Sequence, residues 1–355
     1  MPPTGTAPYR GRRHRPTVAV REHALQCPAC DRILGAFVET QGHIMADTLI
    51  FWSKLDLPEP WEKALNASLP DLVFVREEDD FDPADVHYAL VWAPPQGFFA
   101  RFPNLRLIIN LGAGVDAMAA RDDLPPGVPV TRLHDPLMTR MMGSFVLHAA
   151  LRIARDIPAF EAAQRRGEWH YIEPRPLETI RLGMMGLGEL GLNAANECLR
   201  QGFTVRGWSR SPKTAPGIET FAGIEALPEF LSGCDILVML LPKTPETIGL
   251  MSAERLAMLP EGAGFINVAR GPIVDQDALV EALRTRRIGQ AVLDVFVEEP
   301  LPAGDPLWSL DNVLITPHVA SVALPGSAAP QIADNIVHLR KGEPVEGAVD
   351  LSRGY

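Results

Sequence analysis

A Gly-x-Gly-x-x-Gly run, Gly186-Leu187-Gly188-Glu189-Leu190-Gly191, stands between a strand-like apolar run at 179–184 and a stretch with helical periodicity that continues to about residue 200. No other feature of the 355-residue chain restricts its fold as much. In such a strand-to-helix turn Gly186 permits the tight bend, Gly188 lets the backbone approach a pyrophosphate, and Gly191 lets helix and strand pack closely. The helix N-terminus adds unpaired N–H groups and a partial positive charge. Without its flanks the run would be an ordinary glycine-rich turn; a second strand at 204–208 completes the dinucleotide-binding pattern. Apolar runs at 236–240, 264–268, 289–294 and 313–316 then alternate with helical stretches, which predicts a parallel doubly wound sheet with helices on both faces.

The text before this unit also alternates. Strand-like runs at 48–52, 72–75, 89–93 and 107–111, with a helical stretch at 60–69, predict a smaller α/β domain. Residues 137–157 are apolar around most of the helical circumference, so they predict one long helix, packed deeply or held at a subunit contact. A helix at 328–341 follows the nucleotide unit and is expected to cross back to the first domain, which makes that unit an insertion. The expected domains are 46–135 with 319–355, and 136–318. Residues 1–45 hold Arg10, Arg12, Arg13, Arg15 and Arg21, no acid before Glu22, and several prolines, and read as an extension outside the fold.

Composition narrows the function. A net charge of −11 disfavours nucleic-acid binding, because the surface as a whole repels phosphate backbones. No window is long and apolar enough to span a membrane. Four cysteines, Cys27, Cys30, Cys198 and Cys234, are too few and too scattered to staple the chain, which fits a reducing, cytoplasmic setting. Cys27-Pro28-Ala29-Cys30 has no second pair to complete a zinc site and reads as incidental. His14, His23, His43, His87, His134, His148, His170 and His338 fall outside any motif.

The end of the second nucleotide strand reads Gly207-Trp208-Ser209-Arg210-Ser211-Pro212-Lys213. An NAD-specific site carries an acid here for the ribose hydroxyls. None is present, while Ser209, Arg210 and Lys213 offer a hydroxyl and two cations for a 2′-phosphate, so NADP(H) is preferred with NAD(H) as the alternative. The competing reading is a solvated basic loop.

Three further elements each follow a predicted strand: Asn267-Val268-Ala269-Arg270-Gly271, Asp294-Val295-Phe296-Val297-Glu298-Glu299-Pro300, and Thr316-Pro317-His318-Val319-Ala320. The carboxyl ends of strands in a doubly wound sheet line one crevice, so Arg270, Glu299 and His318 can converge beside a dinucleotide. Together they suit reduction of a 2-oxo acid. Histidine donates the proton, a glutamate on its other ring nitrogen favours the imidazolium, and arginine fixes the carboxylate and polarises the carbonyl.

The order GxGxxG, ARG, DVFxxEP, TPH, from about residue 47 to the C-terminus, resembles the D-isomer-specific 2-hydroxyacid dehydrogenase family. Further resemblance lies in Tyr88-Ala89-Leu90-Val91-Trp92, Leu111-Gly112-Ala113-Gly114-Val115-Asp116, Trp208-Ser209-Arg210 and Arg353-Gly354-Tyr355. The resemblance implies a Rossmann-type sheet inserted into a smaller flavodoxin-like α/β substrate domain. It assigns substrate binding to Arg270, proton transfer to His318 with Glu299, and the carboxylate grip to backbone N–H groups of Ala113, Gly114 and Val115, with Trp92 walling the pocket. It adds Glu189, Leu190, Leu241, Pro242, Val268, Ala269 and Asp294 to the cofactor contacts. It also implies a homodimer and a small 2-oxo acid such as glyoxylate or hydroxypyruvate as substrate; no metal site is expected from the residues. One departure is Ser144-Phe145, where many relatives carry Glu-Tyr. Two rivals are weaker: a β-hydroxyacid dehydrogenase has its glycine run at the chain start and uses a lysine, and a silent dinucleotide sensor or co-repressor would need none of the trio.

Overall fold

Two wholly parallel sheets organise the computed structural model, which describes residues 47–351. The expected extension at 1–45, its Cys27 and Cys30, and Arg353-Gly354-Tyr355 lie outside the described residues. The first sheet contains β1 (Thr48–Ser53), β2 (Val73–Val75), β3 (Val86–Trp92), β4 (Leu107–Asn110) and β5 (Val130–Arg132), in the order β2-β1-β3-β4-β5. The second contains β6 (Arg181–Met185), β7 (Thr204–Ser209), β8 (Glu219–Ala222), β9 (Ile236–Met239), β10 (Ala263–Asn267), β11 (Ile288–Leu293) and β12 (Val313–Ile315), in the order β12-β11-β10-β9-β6-β7-β8. Central strands such as β9 and β10 are buried along their whole length. Both faces of a parallel sheet are covered, so these strands are apolar runs rather than alternations.

Two strands escape the sequence pattern. β5 and β8 are three- and four-residue edge strands, and neither carries enough apolar periodicity to announce itself. Their extended backbone is fixed by pairing with β4 and β7. The expected helix at 137–157 is also shorter: the helix Pro136–Ala154 ends at Arg155, Asp156 turns with a φ of 54°, and a second helix runs Ile157–Arg165. Pro158 has no N–H to offer the Ala154 carbonyl, so the first helix cannot continue.

Helix Pro136–Ala154 buries Met142, Val146, Ala149, Ala150 and Ile153 with Leu182, Met184 and Val205 of the seven-stranded lobe. Its outer side carries Arg140, Ser144 and His148, so the helix is not apolar all round. Helix Pro325–Lys341 instead packs Ile332, Ala333 and Ile336 with Trp61 and Leu65 in the five-stranded lobe. The chain beyond it stays there, the Arg132 N–H donating to the Gly347 carbonyl at 3.0 Å and the Val349 N–H to Val130 at 2.9 Å. Among the described residues no helix is long and apolar enough to cross a membrane.

This return is tied to the first strand by charge. Asp47 Oδ2 accepts the Tyr88 hydroxyl at 2.5 Å and Arg340 Nε at 2.7 Å. Burial alone would push the Asp47 carboxyl up, but the bonds from Tyr88 and Arg340 and the charges of Arg340 and His87 hold it below the usual range. A lowered folded-state pKa contributes stability that is present above the unfolded value of about 3.9 and lost as pH falls through the folded value. Asp47→Asn is expected to lower unfolding free energy at pH 7 by about 1–3 kcal/mol. The difference from the parent, measured by urea denaturation, should shrink as the pH drops below about 4. A constant difference across that range would contradict the assignment.

Candidate active site

Parallel register levels the strand ends. Met185 pairs with Met239, Met239 with Asn267, and Asn267 with Leu293. The next residues, Gly186, Leu240, Val268 and Asp294, therefore leave the sheet side by side on its carboxyl edge. The strand order reverses between β6 and β9, the place where such sheets bind ligands. A cleft of ≈ 450 Å³ opens there, bounded by both lobes.

The glycine loop fits a dinucleotide. Gly186 has a φ of 116°, and a Cβ on it would lie 2.5 Å from the Leu240 carbonyl oxygen. A Cβ on Gly191 would meet the Gly186 carbonyl oxygen at 1.9 Å, whereas one on Gly188 would meet nothing within 4 Å. Gly186 and Gly191 are thus required by the fold, and Gly188 fronts open space at the start of helix Glu189–Arg200. Glu189, Leu190, Leu241, Pro242, Val268 and Ala269 line the same cleft. Ser209, Arg210 and Lys213 lie outside the cleft lining. Ser209 Oγ donates to the Ser211 carbonyl at 2.8 Å, and Lys213 Nζ donates to the Leu187 carbonyl at 2.7 Å, which pins the basic segment to the glycine loop.

His318 and Glu299 meet as the sequence predicts. His318 Nδ1 lies 2.8 Å from Glu299 Oε2, and Glu299 Oε1 accepts the Phe296 N–H at 2.9 Å. Burial pushes the Glu299 carboxyl up; the bonds from His318 and the Phe296 N–H, with the charges of His318 and Arg270, bring it below its usual range. Glu299 is therefore an ionised acceptor at neutral pH, Nδ1 carries a proton, and Nε2 is the nitrogen left for chemistry. The Trp92 ring stands edge-on to His318, with centroids 6.3 Å apart.

His318 has a φ of 55°, a left-handed conformation unusual for a side chain with a Cβ. Asp294 holds it. The buried carboxylate accepts the Thr316 hydroxyl at 2.5 Å and the Val319 and Ala320 N–H groups at 2.9 Å each, and the Asp294 carbonyl accepts the His318 N–H at 2.9 Å. The expected cofactor contact Asp294 does line the cleft, but its carboxylate oxygens are engaged with the 316–320 segment, which makes it a positioning residue for His318. Nothing in its own motif reveals this, because the partners lie more than twenty residues away in the chain.

Across the cleft the 111–115 turn is built by Asn110, whose side-chain amide donates to the Gly112 and Gly114 carbonyls at 3.0 and 2.9 Å. Ala113, Gly114 and Val115 line the cleft with Trp92, and a Cβ on Gly112 would strike the Trp92 ring at 2.4 Å. Arg270 faces the same turn. Its Nη1 donates to its neighbour's Ala269 carbonyl at 2.7 Å and its Nε to Asp116 Oδ1 at 3.0 Å. Sequence reading missed Asp116, Asn110 and Lys243, and gave His134 no role although it lines the cleft 3.3 Å from Glu189. Asp116 ends the Leu111–Asp116 motif, and its pairing with a residue 154 positions away carries no local signal.

The chain is similar to a family model, to curated relatives and to solved structures. The model of the D-isomer specific 2-hydroxyacid dehydrogenase NAD binding domain matches residues 147–320. A glyoxylate/hydroxypyruvate reductase A of Serratia proteamaculans is 40% identical over 313 residues, covering 86% of this chain and 99% of that one. A D-isomer specific 2-hydroxyacid dehydrogenase from Xanthobacter autotrophicus Py2, solved with NADPH and MES, is 60% identical with a TM-score of 0.83, covering 87% and 100% of the two chains. An NADPH-dependent glyoxylate/hydroxypyruvate reductase from Sinorhizobium meliloti, solved with NADP and sulfate, is 33% identical with a TM-score of 0.82 and the same coverage.

The glycines give a paired prediction. Gly191→Ala must displace backbone and should lower the melting temperature by several degrees, together with dinucleotide affinity. Gly188→Ala should change stability by less than about 1 kcal/mol yet weaken dinucleotide binding about tenfold or more, since it fills only the space left for the ligand. Thermal melts and cofactor titrations of both variants check this; unchanged affinity in Gly188→Ala would refute the cradle.

Proposed function

Given that the chain belongs to the D-isomer-specific 2-hydroxyacid dehydrogenase family, we propose that it is an NADPH-preferring reductase converting glyoxylate to glycolate and hydroxypyruvate to D-glycerate. The observation that carries this is His318, bonded to Glu299, sharing one cleft with Arg270 and the 113–115 turn, beside the glycine loop. When bound, NADPH supplies the hydride. His318 supplies the proton: with Nδ1 held by an ionised Glu299, the Nε2–H is the one available to the substrate oxygen, and the same nitrogen accepts a proton in the reverse direction. Arg270 holds the substrate carboxylate and polarises its carbonyl, and the N–H groups of Ala113, Gly114 and Val115 complete the anion grip. Trp92 walls the pocket beside the histidine ring, and excluding water there strengthens each of these contacts.

NADPH over NADH is supported by Ser209-Arg210-Ser211-Pro212-Lys213, which holds no carboxylate, and by the NADPH and NADP bound in the Xanthobacter and Sinorhizobium proteins. The proposal includes a homodimer through the half-buried stripe of Leu137, Met141 and Phe145, and a cytoplasmic setting, with which the free Cys198 and Cys234 agree.

Initial rates of NADPH and NADH consumption against glyoxylate, hydroxypyruvate and pyruvate test the reading. NADPH with the first two should be fastest. His318→Gln should lower kcat by about 10²–10⁴-fold with dinucleotide affinity retained. Arg210→Ala should raise the KM for NADPH about tenfold while leaving that for NADH nearly unchanged. NADPH binding without turnover of any 2-oxo acid would favour a dinucleotide sensor instead.

A further inference from the structure

Asp116 stands where the five-stranded lobe meets the other. It begins the short helix Asp116–Ala119, directly after the 111–115 turn, and its side chain is only 13% exposed. Oδ1 accepts Arg270 Nε at 3.0 Å, and Oδ2 lies 3.6 Å from Lys243 Nζ. Arg270 follows β10 and Lys243 follows β9, so one carboxylate from the small lobe binds two cations from the large lobe.

The geometry of the guanidinium gives this contact a consequence. The group is planar, so two donors held in place fix the direction of the rest. Asp116 takes Nε and the Ala269 carbonyl takes Nη1. What is left is one N–H of Nη1 and both of Nη2, and Nη2 lies so close to the turn that a Cβ built on Gly114 would be 1.9 Å from it. The Nη2 end of the guanidinium is thereby held against Gly114 in the turn whose Ala113, Gly114 and Val115 line the cleft. Removing the carboxylate would free the guanidinium to rotate about its own stem, and would leave Arg270 and Lys243 as neighbouring like charges with nothing between them.

We propose that Asp116 is the positioning residue that aims Arg270 at the substrate carboxylate, and that with Lys243 it forms the ionic latch joining the two halves of the anion site. The ligand it serves is a monocarboxylate with an adjacent carbonyl, and the inference rests on the 2-oxo acid reading above. Asp116 touches neither reacting atom; it acts through Arg270.

The test uses the full chain with Asp116→Ala and Asp116→Asn, and Asp116→Ser should the alanine variant not fold. Steady-state kinetics on glyoxylate give KM and kcat, and calorimetry with NADPH present gives affinity for oxamate, a non-reducible monocarboxylate of the same shape. Asp116→Ala should weaken oxamate binding and raise the glyoxylate KM about tenfold or more, with a smaller fall in kcat and NADPH affinity within about twofold. Asp116→Asn, whose amide oxygen can still accept from Nε, should recover most of the loss. Oxamate affinity and KM within about twofold of the parent in Asp116→Ala would overturn the proposal. So would equal losses in both variants that track a fall in melting temperature. An unaltered chain that binds oxamate but reduces no 2-oxo acid sinks the reductase reading alone, and the oxamate comparison still decides the role of Asp116; one that binds no oxamate sinks both.

Discussion

Met185, Met239, Asn267 and Leu293 pair in register across four parallel strands, so the chain leaves the sheet at four neighbouring points along one edge. Four features of the cleft follow from that alignment. The glycine loop follows β6, Leu241 and Pro242 follow β9, Arg270 follows β10, and Asp294 follows β11. Antiparallel neighbours would have sent alternate loops to the opposite edge and dispersed these residues. The five-stranded sheet repeats the arrangement: its order also reverses, between β1 and β3, and Trp92 at the end of β3 with Asp56 just past β1 borders the same cleft.

Position is then refined by buried polar groups that do no chemistry themselves. Asp294 is 1% exposed and uses both oxygens to fold the 316–320 segment, which keeps His318 in a left-handed conformation it would not adopt alone. Asn267, 2% exposed, accepts the Ala269 N–H and donates to the Arg270 carbonyl, shaping the segment before Arg270 in the same way. Asn110 does this for the 111–115 turn. Each buried amide or carboxylate bonds to backbone, with the Thr316 hydroxyl added at Asp294, so the cost of burying it is offset while the loop it serves is held in one conformation.

Charge divides the site into two zones. Glu299 keeps a negative charge behind His318, on the side away from the cleft lining, and so holds a proton on Nδ1. Arg270, whose Nε is bonded to Asp116 with Lys243 near that carboxylate's other oxygen, makes the second zone of the same cleft. On the proposed reading, the anionic end of a 2-oxo acid belongs with the arginine and the turn, and its carbonyl oxygen with the histidine.

The sequence alone determined the central strands, because a strand covered on both faces must be an unbroken apolar run and such runs survive as local text. It also made the candidate residues Gly186, Gly188, Gly191, Arg270, Glu299 and His318 legible, because each lies in a motif that follows a predicted strand. The edge strands β5 and β8 were illegible, since three or four residues hold too little pattern and their conformation is imposed by a neighbour. The end of helix Pro136–Ala154 was half legible, in Pro158. Only the tertiary structure showed that Asp294, besides lining the cleft, braces the 316–320 segment, and that Asp116 lines the cleft paired with Arg270 and near Lys243. A carboxylate's role is set by which donors lie within about 3 Å of it, and here those donors come from segments that only folding brings together.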